Sequence, residues 1–263
     1  MQLKLFRHLW GVGGDLAAFL AGIAQQGLYA GVDAGLVWLD EPRKRHLRTA
    51  LKDHGLAFIG TAFTDLPFAP AADVRSHVAT LRRQLDEIMA YDPILVKVQG
   101  GKDAWSMAQA EDYFGEVLAL QLPCPLVHET HRGRILFNPW RTRDLLLQFP
   151  TLQLCCDYSH WVTVGERLLD DEAILALCAE RCLHIHARVG HEQGPQVSDP
   201  RDPMWQPQVE AHERWWMQIW QAQKARGLSF STATPEYGPW PYGAPTVEMI
   251  DAAAQRLRHG SET

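Results

Sequence analysis

Eight short apolar runs, each followed by a stretch with helical periodicity, constrain the fold of this 263-residue chain more than any other feature. The strand-like runs cover 3–9, 29–32, 56–60, 94–98, 126–128, 152–156, 183–187 and 228–232. Between them apolar residues recur at helical spacing, as Val74, Val78, Leu81, Leu85 and Ile88 do within 73–90. Further helices are predicted over 15–26, 105–120, 141–149, 166–179, 209–226 and 246–257. Asp15, Asp73 and Thr246 suit helix starts, and Gly27, Gly55 and Gly227 fall just past helix ends, where a left-handed residue is wanted. Strands alternating with such helices imply parallel βαβ units. Eight units favour a closed α/β barrel, the (β/α)8 TIM barrel, over an open doubly wound sheet, and the length is close to the roughly 250 residues of that fold. With no linker and no low-complexity segment, residues 1–263 read as a single domain.

A barrel of this kind delivers the C-terminal ends of its strands to one rim. Four of those ends carry metal-ligating side chains: Glu129, Asp157, His186 and Glu236. Three carboxylates at one height in a cavity require a compensating cation; otherwise they must belong to separate surface ion pairs. Mostly oxygen donors with one imidazole suit one divalent metal, Mn2+, Mg2+ or Co2+, with Zn2+ also compatible. Alternation in 183–188 puts His184, His186 and Arg188 on one face, with His184 packing or hydrogen bonding in the layer beneath. Lys97 and Gln99 also share a face. Gln99, the higher of the two, is expected to line the site, and Lys97 either to line it or to join a buried ion pair lower down. His131 and Arg132, directly after Glu129, are candidates to bind an acidic or phosphate group. His8 reads as a packed histidine near the mouth.

Trp10, Trp38, Trp105, Trp140, Trp161, Trp205 and Trp240 all follow strands or open loops, so they are candidates for an aromatic wall around a small polyhydroxy ligand. Trp215, Trp216 and Trp220 fall in a helix and read as packing or as the surface of a homo-oligomer. The long connection 189–208, rich in glycine, proline and charge, is expected to cover the pocket.

Other classes are disfavoured. A formal net charge of −6 argues against a nucleic-acid groove, which needs a positive stripe. Gly11, Gly13 and Gly14 form a glycine-rich turn after the first strand, but Asp33 is poorly placed to complete a dinucleotide-binding fingerprint. Cys124, Cys155, Cys156, Cys178 and Cys182 show no secreted-scaffold pattern and suit reduced thiols in a cytoplasmic protein. The uncharged run 16–32 contains Gln25, Gln26 and glycines and is short of the ~20 residues that span a bilayer; it reads as barrel strand and helix rather than a leader or a membrane anchor.

The set Glu129, Asp157-x-x-His160, His184-x-His186 and Glu236 resembles the xylose-isomerase-like barrel superfamily, which includes sugar isomerases, ketose epimerases and apurinic-site endonucleases. HETHRGR (His128–Arg134) and HARVGHEQGPQ (His186–Gln196) also resemble bacterial sugar phosphate isomerase/epimerase proteins. The resemblance implies that Glu129, Asp157, His186 and Glu236 hold the metal. It further implies that Glu129 and Glu236 act as the acid/base pair on a metal-stabilised enediolate, and that His160 contacts a substrate oxygen. A dehydratase on the same barrel is the alternative chemistry; a non-catalytic metal-binding barrel is another. The endonuclease branch uses three metals and an Asp-x-His in the loop after the seventh strand. Here that loop reads Asp199-Pro-Arg201, and the fourth strand ends Val98-Gln99-Gly100-Gly101 without a histidine. The ketose epimerases place an arginine after the metal histidine, a role open here to Arg188 or Arg201.

Overall fold

Helix boundaries follow from capping chemistry. Asp15 accepts hydrogen bonds from the Ala17 and Ala18 amides to start α1 (Leu16–Gln26), and Gly27, left-handed at φ 64, ends it. Asp40 and Gly55 bracket α2 (Glu41–His54) in the same way. Asp73 caps α3 (Val74–Met89), and Ser106 with Gln109 forms a capping box at α4 (Met107–Val117). The remaining helices are α5 (Pro139–Gln148), α6 (Tyr158–Gly165), α7 (Glu172–Arg181), α8 (Gln206–Ala225) and α9 (Val247–Gly260).

The computed structural model describes residues 1–65 and 73–261. Its eight strands are β1 (Gln2–His8), β2 (Gly31–Ala34), β3 (Ala57–Phe63), β4 (Leu95–Gln99), β5 (Leu126–Glu129), β6 (Gln153–Cys156), β7 (Cys182–His186) and β8 (Phe230–Thr234). All pair in parallel in sequence order, and β8 pairs back with β1 to close the ring. The expected (β/α)8 barrel is the observed one. No helix among the described residues is long and apolar enough to cross a membrane.

Most apolar side chains fill the layer between the barrel wall and the helices. Trp215, Trp216 and Trp220 of α8 are buried there, which makes them packing residues. Inside the barrel a small apolar floor of Phe6, Ile59, Leu95, Val127 and Cys155 supports everything above it. One irregularity sets the phase of β7. Leu154 pairs with Cys182, yet Cys155 pairs with His184, so Leu183 is skipped. A one-residue slip turns every following side chain to the opposite face, and here it brings His184 and His186 inward beside Cys155.

Several boundaries differ from the sequence reading. β2 and β8 lie two residues later than expected at both ends, and β3 runs on to Phe63. The helix expected over 166–179 is α7, which starts only at Glu172, and an unexpected helix, α6, directly follows Asp157. The connection 189–208 is tied down rather than free. Val197 donates to the Val189 carbonyl, and the Gln196 side chain bonds both ways with the Gly238 backbone after β8.

Candidate metal centre

Glu129 ends β5, Asp157 immediately follows β6, His186 ends β7 and Glu236 lies two residues beyond β8. Each of the four offers a donor atom within 4.8 Å of the others, and all are buried. His186 Nδ1 lies 3.1 Å from Glu236 Oε2, 3.4 Å from Glu129 Oε1 and 3.9 Å from Asp157 Oδ2. Neither His186 Nδ1 nor Glu129 Oε1 makes a hydrogen bond among the described residues. Buried polar atoms without partners are uncommon in folded proteins, and here they face one another.

Two further layers explain how the group is held. Below it, Asp33 of β2 joins five strands. It accepts from Thr61 Oγ1 (2.8 Å), Thr234 Oγ1 (3.1 Å) and Lys97 Nζ (3.1 Å), and His186 Nε2 stands 3.3 Å away. Lys97 Nζ is also 2.5 Å from His186 Nε2. His184 bonds Thr232 and Thr234 in the same layer, as expected of a residue beneath the site. Beside the group, Arg188 Nη2 is 2.5 Å from Asp157 Oδ2, 2.7 Å from His160 Nε2 and 3.4 Å from Glu236 Oε2.

Charge decides what this arrangement can accommodate. Asp33, Glu129, Asp157 and Glu236 are buried carboxylates; Lys97 and Arg188 are the buried cations that touch them. Two negative charges are left over, which a divalent cation would neutralise. The protonation equilibria carry the same strain. Burial, with Glu236 assisting and Arg188 opposing, pushes the Asp157 carboxyl up to about 6. Burial also acts on Glu129, but His186 and Lys97 outweigh it and bring that carboxyl down to about 2. Burial opposes protonation of His186, yet Cys155, Glu236 and Glu129 together hold it well above the usual imidazole range. In the unliganded chain, His186 is made to supply positive charge that the carboxylates lack.

Most residues expected at the substrate side gather at the mouth. Gln99 Nε2 donates to Glu129 Oε2 at 3.1 Å. His160, whose imidazole burial keeps neutral, packs against His131 with ring centroids 3.8 Å apart and the rings tilted by 49°. Arg132 and Arg188 each lie over the Tyr242 ring, at 5.3 and 5.2 Å, and Trp10 meets Tyr242 edge-on at 5.0 Å. Arg201 is not brought to this group. Its guanidinium lies at the surface, bound to Asp199 and Glu248, because those carboxylates are the acceptors nearest to it in the loop after β7 and in α9.

The expected tryptophan wall reduces to Trp10. Trp105 and Trp161 are buried in the outer core, while Trp38, Trp140 and Trp240 are exposed. Trp205 packs on His191. The sequence reading missed Asp33 as a member of the centre, and Tyr242 as a ring in contact with two arginines. The available signals were an aspartate inside a barrel strand and a lysine on the inward face of β4.

No protein-family model and no curated protein matches the chain. Solved structures do match, over essentially its whole length. These structures share the (β/α)8 fold of this chain. A D-tagatose 3-epimerase-like protein superposes with a TM-score of 0.64 at 12% identity, covering 100% of this chain and 97% of the other. A xylose isomerase-like TIM barrel protein from Mycobacterium smegmatis, in complex with magnesium, gives 0.63 at 14% identity over 98% and 95%. The probable 3-DHS dehydratase AsbF from Bacillus anthracis gives 0.64 at 14% identity over 98% of each chain. The likeness in fold therefore extends around the full ring.

Proposed function

We propose that this chain is a divalent-metal enzyme that isomerises or epimerises a small polyhydroxy carbonyl compound. The observation that supports this best is the convergence of Glu129, Asp157, His186 and Glu236 in a buried cluster short of two positive charges. The donor set fits Mn2+, Mg2+ or Co2+, with Zn2+ compatible, and the unpartnered His186 Nδ1 and Glu129 Oε1 are free to bind it. When bound, such a cation polarises a carbonyl and offsets the negative charge that develops when the neighbouring C–H is deprotonated.

The protein groups supply the proton transfer. Glu129 stays ionised at neutral pH and is oriented by Gln99, so it can remove the proton from carbon. Glu236 reaches the same small volume from β8, where, against burial, His186 and Arg188 hold it ionised, so it can return a proton only after taking one up from a substrate hydroxyl or from water on its own side. Positioned acid/base groups of this sort contribute about 10²–10⁴ in rate. Burial holds His131 and His160 neutral, so they can hydrogen-bond substrate hydroxyls without adding charge. Arg188, Arg132, Gln99 and Trp10 complete the wall, whose mixture of rings and fixed polar groups suits a small polar ligand.

A dehydratase is the second reading, supported by the likeness to the probable 3-DHS dehydratase. The same deprotonation would then be followed by loss of hydroxyl from the next carbon. Turnover of a ketose and hydroxy-keto-acid panel in deuterated water separates the two, because dehydration lowers the product mass by one water and epimerisation only exchanges hydrogen. Glu129→Gln and Glu236→Gln should each abolish turnover and leave the fold intact. Arg201→Ala, remote from the centre, should change nothing. Full activity in either glutamine variant would end this mechanism.

A further inference from the structure

A cavity of about 250 Å³ opens between the turn after β1 and the segment leading into α9, outside the four-residue cluster. Its walls include Phe19, Pro245, Val247 and Ile250, and one charged side chain, Arg7. Arg7 is 4% exposed, and among the described residues its guanidinium makes one hydrogen bond, Nη1 to the neighbouring His8 carbonyl at 3.0 Å. It also lies 5.6 Å from the Phe19 ring. Among the described residues no carboxylate forms an ion pair with it. Asp251 attracts it from a distance, but that carboxylate is already held by Tyr29 Oη at 2.6 Å and Gln26 Nε2 at 2.8 Å. A buried cation without a contact counter-ion is costly, and burial accordingly lowers the pKa of Arg7.

The turn that shares the cavity with Arg7 belongs to the glycine-rich segment Gly11–Gly14, which forms no dinucleotide fold here. Gly11 and Gly13 line the cavity, and neither backbone N–H is hydrogen-bonded among the described residues. Gly11 has φ +78 and packs on Pro239, while space around Gly13 is open. Val12, between them, donates to the Leu9 carbonyl at 3.1 Å, so the Gly11 and Gly13 amides are two separate donors available to an anion. The volume is many times the share of one water, about 30 Å³, so a bare ion would leave most of it unfilled.

We propose that this cavity binds the anionic end of a small organic molecule, a phosphate monoester or a carboxylate, with Arg7 as counter-ion and the Gly11–Gly14 turn as amide donor. Resting on the function proposed above, the anion belongs to the far end of the substrate. His8 and Tyr237 line the cavity; Tyr237 adjoins Glu236 in the chain, and the Glu236 charge reaches His8. The polyhydroxy compound is then a sugar phosphate or sugar acid rather than a neutral sugar.

The test needs no turnover. Metal-free protein is melted in increasing inorganic phosphate, with sodium chloride holding ionic strength constant. A saturable rise in Tm of about 2–4 °C is expected, lost in Arg7→Met. It should also be lost in Gly13→Asp, which adds a negative charge in open space and keeps the cavity if the arginine variant fails to fold. Calorimetry with glucose 6-phosphate, gluconate and glucose then assigns the source. The wild type should bind at least one of the two anions ten-fold or more tighter than glucose, and Arg7→Met should bind all three alike. An equal phosphate shift in wild type and variants, or none, overturns the site. A phosphate shift with glucose bound as tightly as both anions overturns the substrate assignment. Neither result depends on whether metal binds, so failure of the enzyme reading is separable.

Discussion

Lys97→Met should act in opposite directions on stability and on metal affinity. The Lys97 ammonium is buried against Asp33 at 3.1 Å and stands 2.5 Å from His186 Nε2. Removing one partner of a buried ion pair costs about 3–5 kcal/mol, because the other charge is left behind. At about 2–4 °C per kcal/mol for a chain of this size, the metal-free variant should melt roughly 6–20 °C lower. The same substitution makes the cluster short of three positive charges instead of two. Across one imidazole ring, roughly 6 Å, a single and a double charge repel by about 5 kcal/mol at an effective dielectric constant of 20. Partial protonation of Asp33 and solvent relaxation recover much of that, so Mn2+ should bind about ten- to a hundred-fold tighter. Asp33 keeps Thr61 and Thr234 as donors, so the platform under His186 survives. Chemical denaturation in chelator gives the first quantity and calorimetric Mn2+ titration the second. Weakened or unchanged Mn2+ affinity would refute the charge argument, as would an undiminished melting temperature.

Two other outcomes follow from particular groups. Burial holds Asp157 protonated below about pH 6, and a metal must displace that proton. His186, held protonated well above the usual imidazole range, must lose its proton as well, so Mn2+ affinity should climb about ten-fold per pH unit above pH 6 and more steeply below it, where Asp157 adds a second proton; titrations across pH 5–8 check this. Gly31→Ala should damage the fold itself, since a Cβ there would lie 2.0 Å from the Ala57 carbonyl oxygen on the paired strand. The neighbour is backbone and cannot rotate away, so a loss of about 3 kcal/mol or more is expected. A melting temperature unchanged from the wild type would show that β2 and β3 can separate freely.

The barrel was legible because eight apolar runs and their caps are local signals. The places where the reading slipped are polar ones. β2 runs two residues past the expected stop at Val32, through Asp33, and β8 two residues past the expected stop at Thr232, to Thr234, and both extensions carry buried polar side chains. Their satisfaction comes from afar: Asp33 depends on Lys97, His186 and Thr234, each on a different strand. A sequence window cannot register such partners. The four donors of the centre were readable for the opposite reason, since each lies at or just past the end of a recognisable strand. α6 was missed because Tyr158–Gly165 is short and aromatic, although Asp157 was a plain capping signal for it.

That helix start has a practical consequence for anyone dissecting the centre. Asp157 Oδ1 receives the Ser159 amide at 3.1 Å and its hydroxyl at 2.5 Å, while Oδ2 faces Arg188. One carboxylate thus anchors a secondary-structure element with one oxygen and serves the cavity with the other. An inactive alanine variant at this position would be ambiguous between a misplaced α6 and a missing ligand. Glu129 and Glu236 have no such double duty, so mutational evidence about the chemistry is cleanest at those two glutamates.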